Sequence, residues 1–260
     1  MRRFFKLLWQ AIEGEEGADY TTGNINKAIF LLSVPMIIEM LGEGIFALVD
    51  AYFVSKVSNE AFATVVLSET LATIVYALAI GISIAGMSMV ARRIGEKNAE
   101  GASKAAAQTV IITVAISIIL SIVGVIFAKD LLFMMGASEE VVAVGLLYTQ
   151  VLLGGNIVIM LLFVLNGIFR GSGDATMAMR SLWIANLLNM ILDPILIFGL
   201  GPIPAMGIMG AAIATTFGRG MGVLFQLYIL FNGGRIVQLA KSQFKANWIL
   251  IKKILNVGST

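Results

Sequence analysis

The chain has 260 residues, of which 58% are hydrophobic and 13% charged, with a net charge of +2 and a mean hydropathy of +0.93. Soluble domains carry about 25% charged residues, so this composition excludes an ordinary soluble protein and indicates an integral membrane protein. Cysteine and histidine are both absent from the sequence, which excludes disulfide frameworks, zinc sites and nucleophilic catalysis by Cys or His.

Six apolar stretches are each long enough to cross about 30 Å of hydrocarbon at about 1.5 Å per residue. The sequence therefore predicts an all-α membrane protein with an N-terminal segment over 1–24, a six-helix transmembrane domain over 25–231 and a C-terminal segment over 232–260. The N-terminal MRRFFKLLWQ is too polar for a cleavable signal sequence and predicts an amphipathic helix at the membrane surface. The predicted spans are 28–54, 62–90, 105–128, 141–169, 181–200 and 205–231.

Lysine and arginine are unevenly distributed among the connectors. The N-terminal segment, the second and fourth connectors and the tail after residue 231 hold 15 of the 18 basic residues. The first and third connectors hold only Lys56 and Lys129, and Arg219 lies inside a span. Because basic residues concentrate in cytoplasmic loops, both ends of this sequence are predicted to face the cytoplasm.

The fifth span, ANLLNMILDPILIFGLG, contains an unusual polar stripe. Asn186, Asn189 and Asp193 are spaced i, i+3 and i+7, which places them on one helical face. Pro194 follows and predicts a bend beside the carboxylate. A charge at the bilayer centre costs at least about 2.5–3.5 kcal/mol, so it typically marks an ion pathway, a proton relay or a ligand site. The alternative is a polar contact that only holds helices together.

The first span carries three acids, Glu39, Glu43 and Asp50, on one helical face. Three carboxylates in a low-dielectric interior cannot all stay ionised without protons or a cation. Together with Glu69 in the second span, these acids outnumber the one base within the spans, Arg219. This excess predicts a cation or proton site. The alternative is that this helix borders a water-filled cavity and that its acids play no part in ion coupling.

Five local patterns occur in a fixed order along the chain: LVDAYFVSKV, VARRIGEKNAEGA, NGIFRGSGDATMAM, LNMILDPILIFGLG and GIMGAAIATTFGRG. In this order they resemble the N-terminal half of the multidrug and toxic compound extrusion (MATE) transporters. The resemblance implies one lobe of a two-lobe, twelve-helix exporter of cationic amphipathic compounds, driven by exchange against Na⁺ or H⁺. It implies no enzymatic activity and no cofactor other than the coupling ion.

The resemblance also implies a cation or proton site formed by Asp50, Asn166, Asn189, Asp193 and Thr215. Carboxylate, amide and hydroxyl oxygens suit Na⁺, and a desolvated carboxylate pair suits a proton. Three further acids match no part of the family pattern: Glu39, Glu43 and Glu69. The last span also contains a GxxxG pair, Gly218 and Gly222, which predicts close helix packing.

The expected partners are small organic cations, the lipid bilayer and a second six-helix lobe, with no nucleic acid. The resemblance favours a multi-pass protein of the plasma (inner) membrane. The stretch KILNVGS at 253–259 repeats the pattern of KAIFLLS at 27–33. We therefore expect residues 250–260 to begin the second lobe, so that the sequence is part of a longer one.

Three other functions are compatible with parts of the sequence. A flippase for lipid-linked precursors requires a basic cavity for a pyrophosphate, and the spans offer only Arg219. The GSGD stretch at 171–174 matches the GxGD pattern of intramembrane aspartyl proteases, but Arg170 precedes it and a polar connector contains it. A membrane scaffold without transport would leave the intramembrane acids unexplained.

Overall fold

A computed structural model of the chain describes residues 2–14 and 23–258. Residues 15–22, in the predicted N-terminal segment, and 259–260, in the predicted start of a second lobe, lie outside the described residues. A short 3₁₀ turn, Lys241–Phe244, lies between the last two α-helices. The α-helices are α1 (Arg2–Glu13), α2 (Ile25–Ser55), α3 (Asn59–Gly95), α4 (Ala99–Met134), α5 (Glu139–Gly154), α6 (Asn156–Gly171), α7 (Ala175–Phe198), α8 (Ile208–Asn232) and α9 (Trp248–Gly258).

Five of the described helices, α2, α3, α4, α7 and α8, are each long and apolar enough to cross a membrane. Helices α5 and α6 pass the same test only together, as a pair bent by 40°. The predicted pattern of six spans is confirmed when this pair counts as one span, but the fourth span is broken rather than continuous. The break follows Gly154 and Gly155, where the Asn156 side chain donates to the Leu153 carbonyl at 2.6 Å and so competes with the helical backbone bonds.

Polar side chains at the first turns fix where the helices begin. Asn24 accepts hydrogen bonds from the backbone N–H groups of Asn26 and Lys27, and such caps stabilise a helix start. The first four connectors are shorter than predicted, because the flanking helices extend past the apolar stretches, whereas the fifth, 199–207, is longer. Caps of the same kind are made by Ser58, Asn98, Ser138 and Asp174.

The turn between α3 and α4 shows this shortening most clearly. The basic connector predicted over 91–104 is reduced to the turn 96–98 between the two helices. Hydrogen bonds from Arg92 and Arg93 lower the pKa of Glu96, which caps α3. These basic residues therefore lie on helical turns at the predicted cytoplasmic end of α3.

Helices α7 and α8 pack with their backbones in close contact. A Cβ atom on Gly218 would lie 2.6 Å from the Ala185 carbonyl oxygen, and one on Gly222 would lie 3.0 Å from the Ser181 carbonyl oxygen. The predicted packing role of the GxxxG pair is confirmed. This contact brings the polar stripe of α7 against α8.

We expect Gly218→Ala to destabilise the protein by about 1–3 kcal/mol, because the new methyl group must push α8 away from α7. Gly220→Ala is the matched control on the same helix, since the nearest atom to its added Cβ is 3.8 Å away, in Val158. The measurement is the thermal unfolding midpoint of each variant in the same lipid or detergent. Equal loss in both variants would contradict a role for close packing.

The segment after α8 folds back along α4. Gln108 of α4 donates through Nε2 to the carbonyl oxygens of Gln243 and Lys245, both at 3.0 Å, and accepts from the Asn247 N–H at 2.8 Å. A buried side chain that forms three main-chain bonds fixes the path of this segment. As a result α9 packs against α3 and α4.

Helix α1 covers part of α2. Its Ala11 packs with Leu31 and Val34, while Phe5 and Trp9 are exposed. Helix α1 therefore has one packed face and an opposite face with exposed aromatic residues. This arrangement is typical of a helix at a membrane surface. The surface position itself stays a prediction.

Candidate cation site and cavity

The two aspartates expected to meet from the first and fifth spans do lie together. Asp193 of α7 is completely buried, and its carboxyl group lies next to that of Asp50 on α2. Among the described residues, no N–H or O–H group donates to either carboxyl oxygen of Asp193 or to Oδ1 of Asp50. Buried carboxylates without donors are costly unless a proton or a cation neutralises them.

Asn189 and Thr215 form a second pair next to Asp193. Asn189 lies one helical turn before Asp193, and its Nδ2 donates to Thr215 Oγ1 on α8 at 2.9 Å. This bond uses the amide nitrogen and leaves Oδ1 of Asn189 buried, with no donor in the described part of the chain. The close packing of α7 on α8 makes the bond possible.

The donor set fits a small cation. Unpartnered carboxylate and amide oxygens and a hydroxyl are hard ligands of the type that Na⁺ accepts. Within residues 2–14 and 23–258, no three or more Asp, Glu, His or Cys side chains are grouped so that they could hold a metal ion. A cation at Asp50 and Asp193 would therefore depend on Asn189 and Thr215 as well.

Asp50 and Thr215 also line a cavity of about 570 Å³ bounded by α2, α3, α6 and α8. Glu43 and Glu69 face the same cavity, as does Arg219. The cavity thus brings two of the three unmatched acids together with the one base that the sequence placed inside a span. Four aromatic residues complete its wall: Phe46, Phe62, Tyr76 and Phe163.

Glu39 does not belong to this group, which corrects the expectation of three carboxylates at one site. It is 6% exposed and forms an ion pair with Arg170 of α6. A helical wheel shows only direction around the axis, and the eleven residues from Glu39 to Asp50 span about 16 Å along it. Arg170 lies in a predicted connector by sequence, whereas α6 continues to Gly171, so the pairing is visible only in the structure.

Asn166 lies in the network around Glu39, which corrects its expected place beside Asn189 and Thr215. Its Nδ2 donates to Glu39 at 3.2 Å, and its Oδ1 accepts from Ser181 Oγ at 3.2 Å and from Gln226 Nε2. Gln226 also donates to Ser181 at 2.8 Å. A glutamine in the middle of an apolar span was the sequence signal that could have indicated this network.

The aspartate of the GSGD stretch has a structural role. Asp174 caps α7 by accepting from the Met177 N–H at 3.4 Å and forms an ion pair with Arg235 at 3.1 Å. It lies at a helix start in the turn after α6. This position differs from the interior of a span that the protease interpretation requires.

Comparison with known proteins decides the family. A family model described as MatE matches residues 35–195, more than half of the chain. The chain belongs to the MatE family. The resemblance seen in the five sequence patterns is thereby confirmed.

Curated relatives of this MatE chain include proteins named for transport and drug resistance. It is 30% identical over 227 residues to an FAD transporter of Shewanella oneidensis, and 27% identical over 234 residues to the probable multidrug resistance protein NorM of Thermotoga maritima. The two alignments cover 86% and 90% of this chain but 50% of each relative. The chain therefore spans about half the length of the curated relatives it matches.

Solved structures also match this chain over about half of their own length. An MOP superfamily transporter from Pyrococcus furiosus, described as having a binding pocket of reversed polarity, matches with 35% identity and a TM-score of 0.84 over 92% of this chain and 52% of its own. An outward-facing multidrug resistance MATE transporter matches with 34% identity and a TM-score of 0.85 over 94% of this chain and 54% of its own. The MatE chain thus has the fold of the N-terminal lobe of a two-lobe, multi-pass membrane transporter.

Proposed function

We propose that this lobe belongs to a secondary active exporter that moves cationic, amphipathic compounds out of the cell in exchange for Na⁺ or H⁺. The observation that carries the proposal is the buried Asp193 carboxylate, which faces Asp50 and accepts no hydrogen bond on either oxygen from the residues that the structure describes. Such a group attracts a small cation or a proton. Relatives named as multidrug resistance or multidrug export proteins support the substrate class.

Coupling requires that the ion bind one access state more tightly than the other. In the proposed cycle, an ion between Asp50 and Asp193 relieves the repulsion between the two carboxylates and draws α2 toward α7. Its release lets the two helices separate and favours the other access state. A difference of about 5.5 kcal/mol in binding energy is enough to reverse a 1:99 population.

The electrostatics of the cavity favour a cation over the alternative substrates. The relative named as an FAD transporter suggests a flavin nucleotide, and a flippase would carry a lipid-linked pyrophosphate. Among the described residues that line the cavity, three are acids, Glu43, Asp50 and Glu69, and one is a base, Arg219. Like charges would repel both phosphate-bearing compounds.

We also propose that both ends of the chain face the cytoplasm of the plasma (inner) membrane and that a second six-helix lobe closes the transport path. Arg92 and Arg93 at the end of α3 lie beside Lys253 of α9 around a common pocket. This cluster of basic side chains from two helices supports a cytoplasmic position, because positive residues are retained on that side.

The coupling ion can be tested with the complete protein in liposomes that contain a fluorescent organic cation. Na⁺ and proton gradients are imposed separately and together, and dye flux is recorded. We expect one of the two gradients to drive flux and the reverse gradient to stop it. Flux that continues unchanged after both gradients are abolished would contradict antiport.

A further inference from the structure

The segment that joins α8 to α9 is packed into the lobe. Residues 233–247 form this segment, and the sequence predicts that the second lobe starts just after it, within α9. Val237 is 1% exposed and Leu239 3% exposed, and both belong to a hydrophobic cluster with side chains from α3, α4, α6, α7 and α8. The Leu239 N–H also donates to the Leu230 carbonyl of α8 at 2.8 Å. Loops usually run over the surface, so this burial is unusual for a connection between two lobes.

Two polar contacts attach the first half of the segment to other helices. The Gln238 N–H donates to Ser103 Oγ of α4 at 3.1 Å, and Ser103 is buried. The ion pair of Arg235 with Asp174 ties the segment to the residue that caps α7. The segment is therefore fixed to α4, α7 and α8 within a few residues.

Gln108 of α4 fixes the second half of the segment and the start of α9. It is 2% exposed, and its side-chain amide forms the three bonds to Gln243, Lys245 and Asn247 described above. Asn247 in turn caps α9, because its Oδ1 accepts from the Leu250 N–H at 3.2 Å. If the segment left α4, a buried amide would lose all three partners, and an unpaired buried polar group is costly.

Helix α9 is held against α3 by apolar side chains and by close backbone contact. Ile251 and Ile254 are buried in the same hydrophobic cluster as Val237. A Cβ atom on Gly81 of α3 would lie 3.3 Å from the Gly258 carbonyl oxygen, and one on Gly258 would lie 3.3 Å from that of Gly81. Small residues permit this close approach of two helices in a membrane. Helix α9 is thus packed as a part of the first lobe.

We propose that residues 233–258 move with the first lobe as one rigid body when the transporter changes its access state. The loop between α8 and α9 is then not a hinge, and the bending between the lobes takes place in the part of the protein that follows α9. Hinges are drawn from weakly packed segments, and this segment is buried and bonded to three helices. The inference rests on the proposed alternating access and adds to it which part of the connection stays fixed.

Amide hydrogen exchange of the complete protein in lipid nanodiscs tests the inference directly. Exchange is followed by mass spectrometry in Na⁺ and in K⁺ and at two pH values, with rates corrected for the intrinsic effect of pH. We expect peptides from 237–247 to exchange as slowly as those from α4 under every condition, because their N–H groups are buried and bonded. Fast exchange of this segment in the wild-type protein, or protection that is lost under one of the conditions, would overturn the inference.

Gln108→Leu removes the side-chain amide and keeps a side chain of similar length. It should speed the exchange of 237–247 at least about tenfold, because the three bonds to α4 are lost. Gln150→Leu is the matched control, since Gln150 is also a glutamine in an apolar helix and donates to the Val125 carbonyl at 3.3 Å. The control should leave exchange of the segment unchanged. Equal effects of the two substitutions would contradict the role of Gln108 in holding the segment.

A disulfide between α3 and α9 provides a functional test. The 260 residues contain no cysteine, so Gly81→Cys/Gly258→Cys introduces a single pair once any cysteine elsewhere in the complete protein is replaced by serine. We expect gradient-driven ethidium flux in liposomes to be the same for the oxidised and the reduced protein, because α3 and α9 do not move apart. Gly81→Cys alone controls for the effect of the substitution and of the oxidant. A loss of flux of at least about tenfold on oxidation, recovered on reduction, would overturn the inference.

The two measurements separate this inference from the proposed function. No gradient-driven flux by the wild-type protein would overturn the proposed export, and the exchange rates of 237–247 would still decide whether the segment is fixed to the first lobe. Fast exchange of the segment in a protein that transports ethidium would overturn the inference and leave the proposed export intact.

Discussion

Replacing Asp193 with asparagine should reduce ion-driven export at least about 100-fold, the rate effect of about 2.7 kcal/mol. Asparagine has nearly the same shape but cannot take up a proton and adds no negative charge for a cation. The carboxylate has no donor among the described residues, so its replacement removes no protein hydrogen bond. The measurement is the initial rate of dye flux in liposomes under the driving gradient.

The same variant should be at least as stable as the wild-type protein. Removing a buried charge that lacks a partner eliminates a desolvation cost, so the thermal unfolding midpoint measured without Na⁺ should stay the same or rise. Functional groups often lower the stability of the folded state, so a variant that removes one can be more stable than the wild-type protein. Asp130→Asn, at an exposed position in α4, is the matched control and should change neither flux nor stability.

Wild-type flux in Asp193→Asn would remove this residue from the coupling mechanism. Asp50→Asn provides a second test, because it removes the other half of the pair. Loss of flux in both variants with retained stability would support a shared ion. Loss of flux accompanied by a large fall in the unfolding midpoint would instead point to a structural role.

Replacing Arg170 with glutamine should destabilise the lobe by about 3–5 kcal/mol, the usual cost of leaving one partner of a buried pair unneutralised. Glu39 is 6% exposed, and without Arg170 its remaining side-chain donor is Asn166. The double variant Glu39→Gln/Arg170→Gln should recover much of this loss, since neither charge then remains buried. The thermal unfolding midpoints of both single variants and the double variant complete a mutant cycle.

The two predictions separate the acids of α2 by role. Glu39→Gln should lower stability but leave the ion dependence of transport in place, because Glu39 is paired with Arg170 rather than with the coupling aspartates. Strictly additive losses in the cycle would contradict the pairing. Loss of ion-driven transport in Glu39→Gln with unchanged stability would place Glu39 in the coupling site after all.

Through the family resemblance, the sequence predicted that Asp50, Asn189, Asp193 and Thr215 belong to one site, and the structure adds the bond between Asn189 and Thr215. In α7 the polar residues follow helical spacing, and an ionisable residue in an apolar span is costly enough to signal a role. The five ordered patterns then indicated which spans contribute to the site. These features lie within single helices or in their order, where sequence periodicity is informative.

The sequence was not sufficient to assign Glu39 and Asn166. Both were grouped with the coupling residues, and the structure places them in a network with Arg170, Ser181 and Gln226. The end of α6 was predicted two residues too early, which left Arg170 outside the span. An error of that size at a helix end is common, and here it concealed the partner of a buried acid.

By itself the sequence determined that this chain is a six-span membrane protein of the MatE family, with carboxylates in its first, second and fifth spans. The lengths of apolar runs and the cost of charge in lipid are properties of local sequence, so they can be read without coordinates. Only the tertiary structure decided that Asp50 faces Asp193, that Glu39 pairs with Arg170 and that Glu43 shares a cavity with Arg219. Contacts between helices depend on how far each helix is shifted along its axis and on which neighbour it packs against. The periodicity of residues within one helix specifies neither.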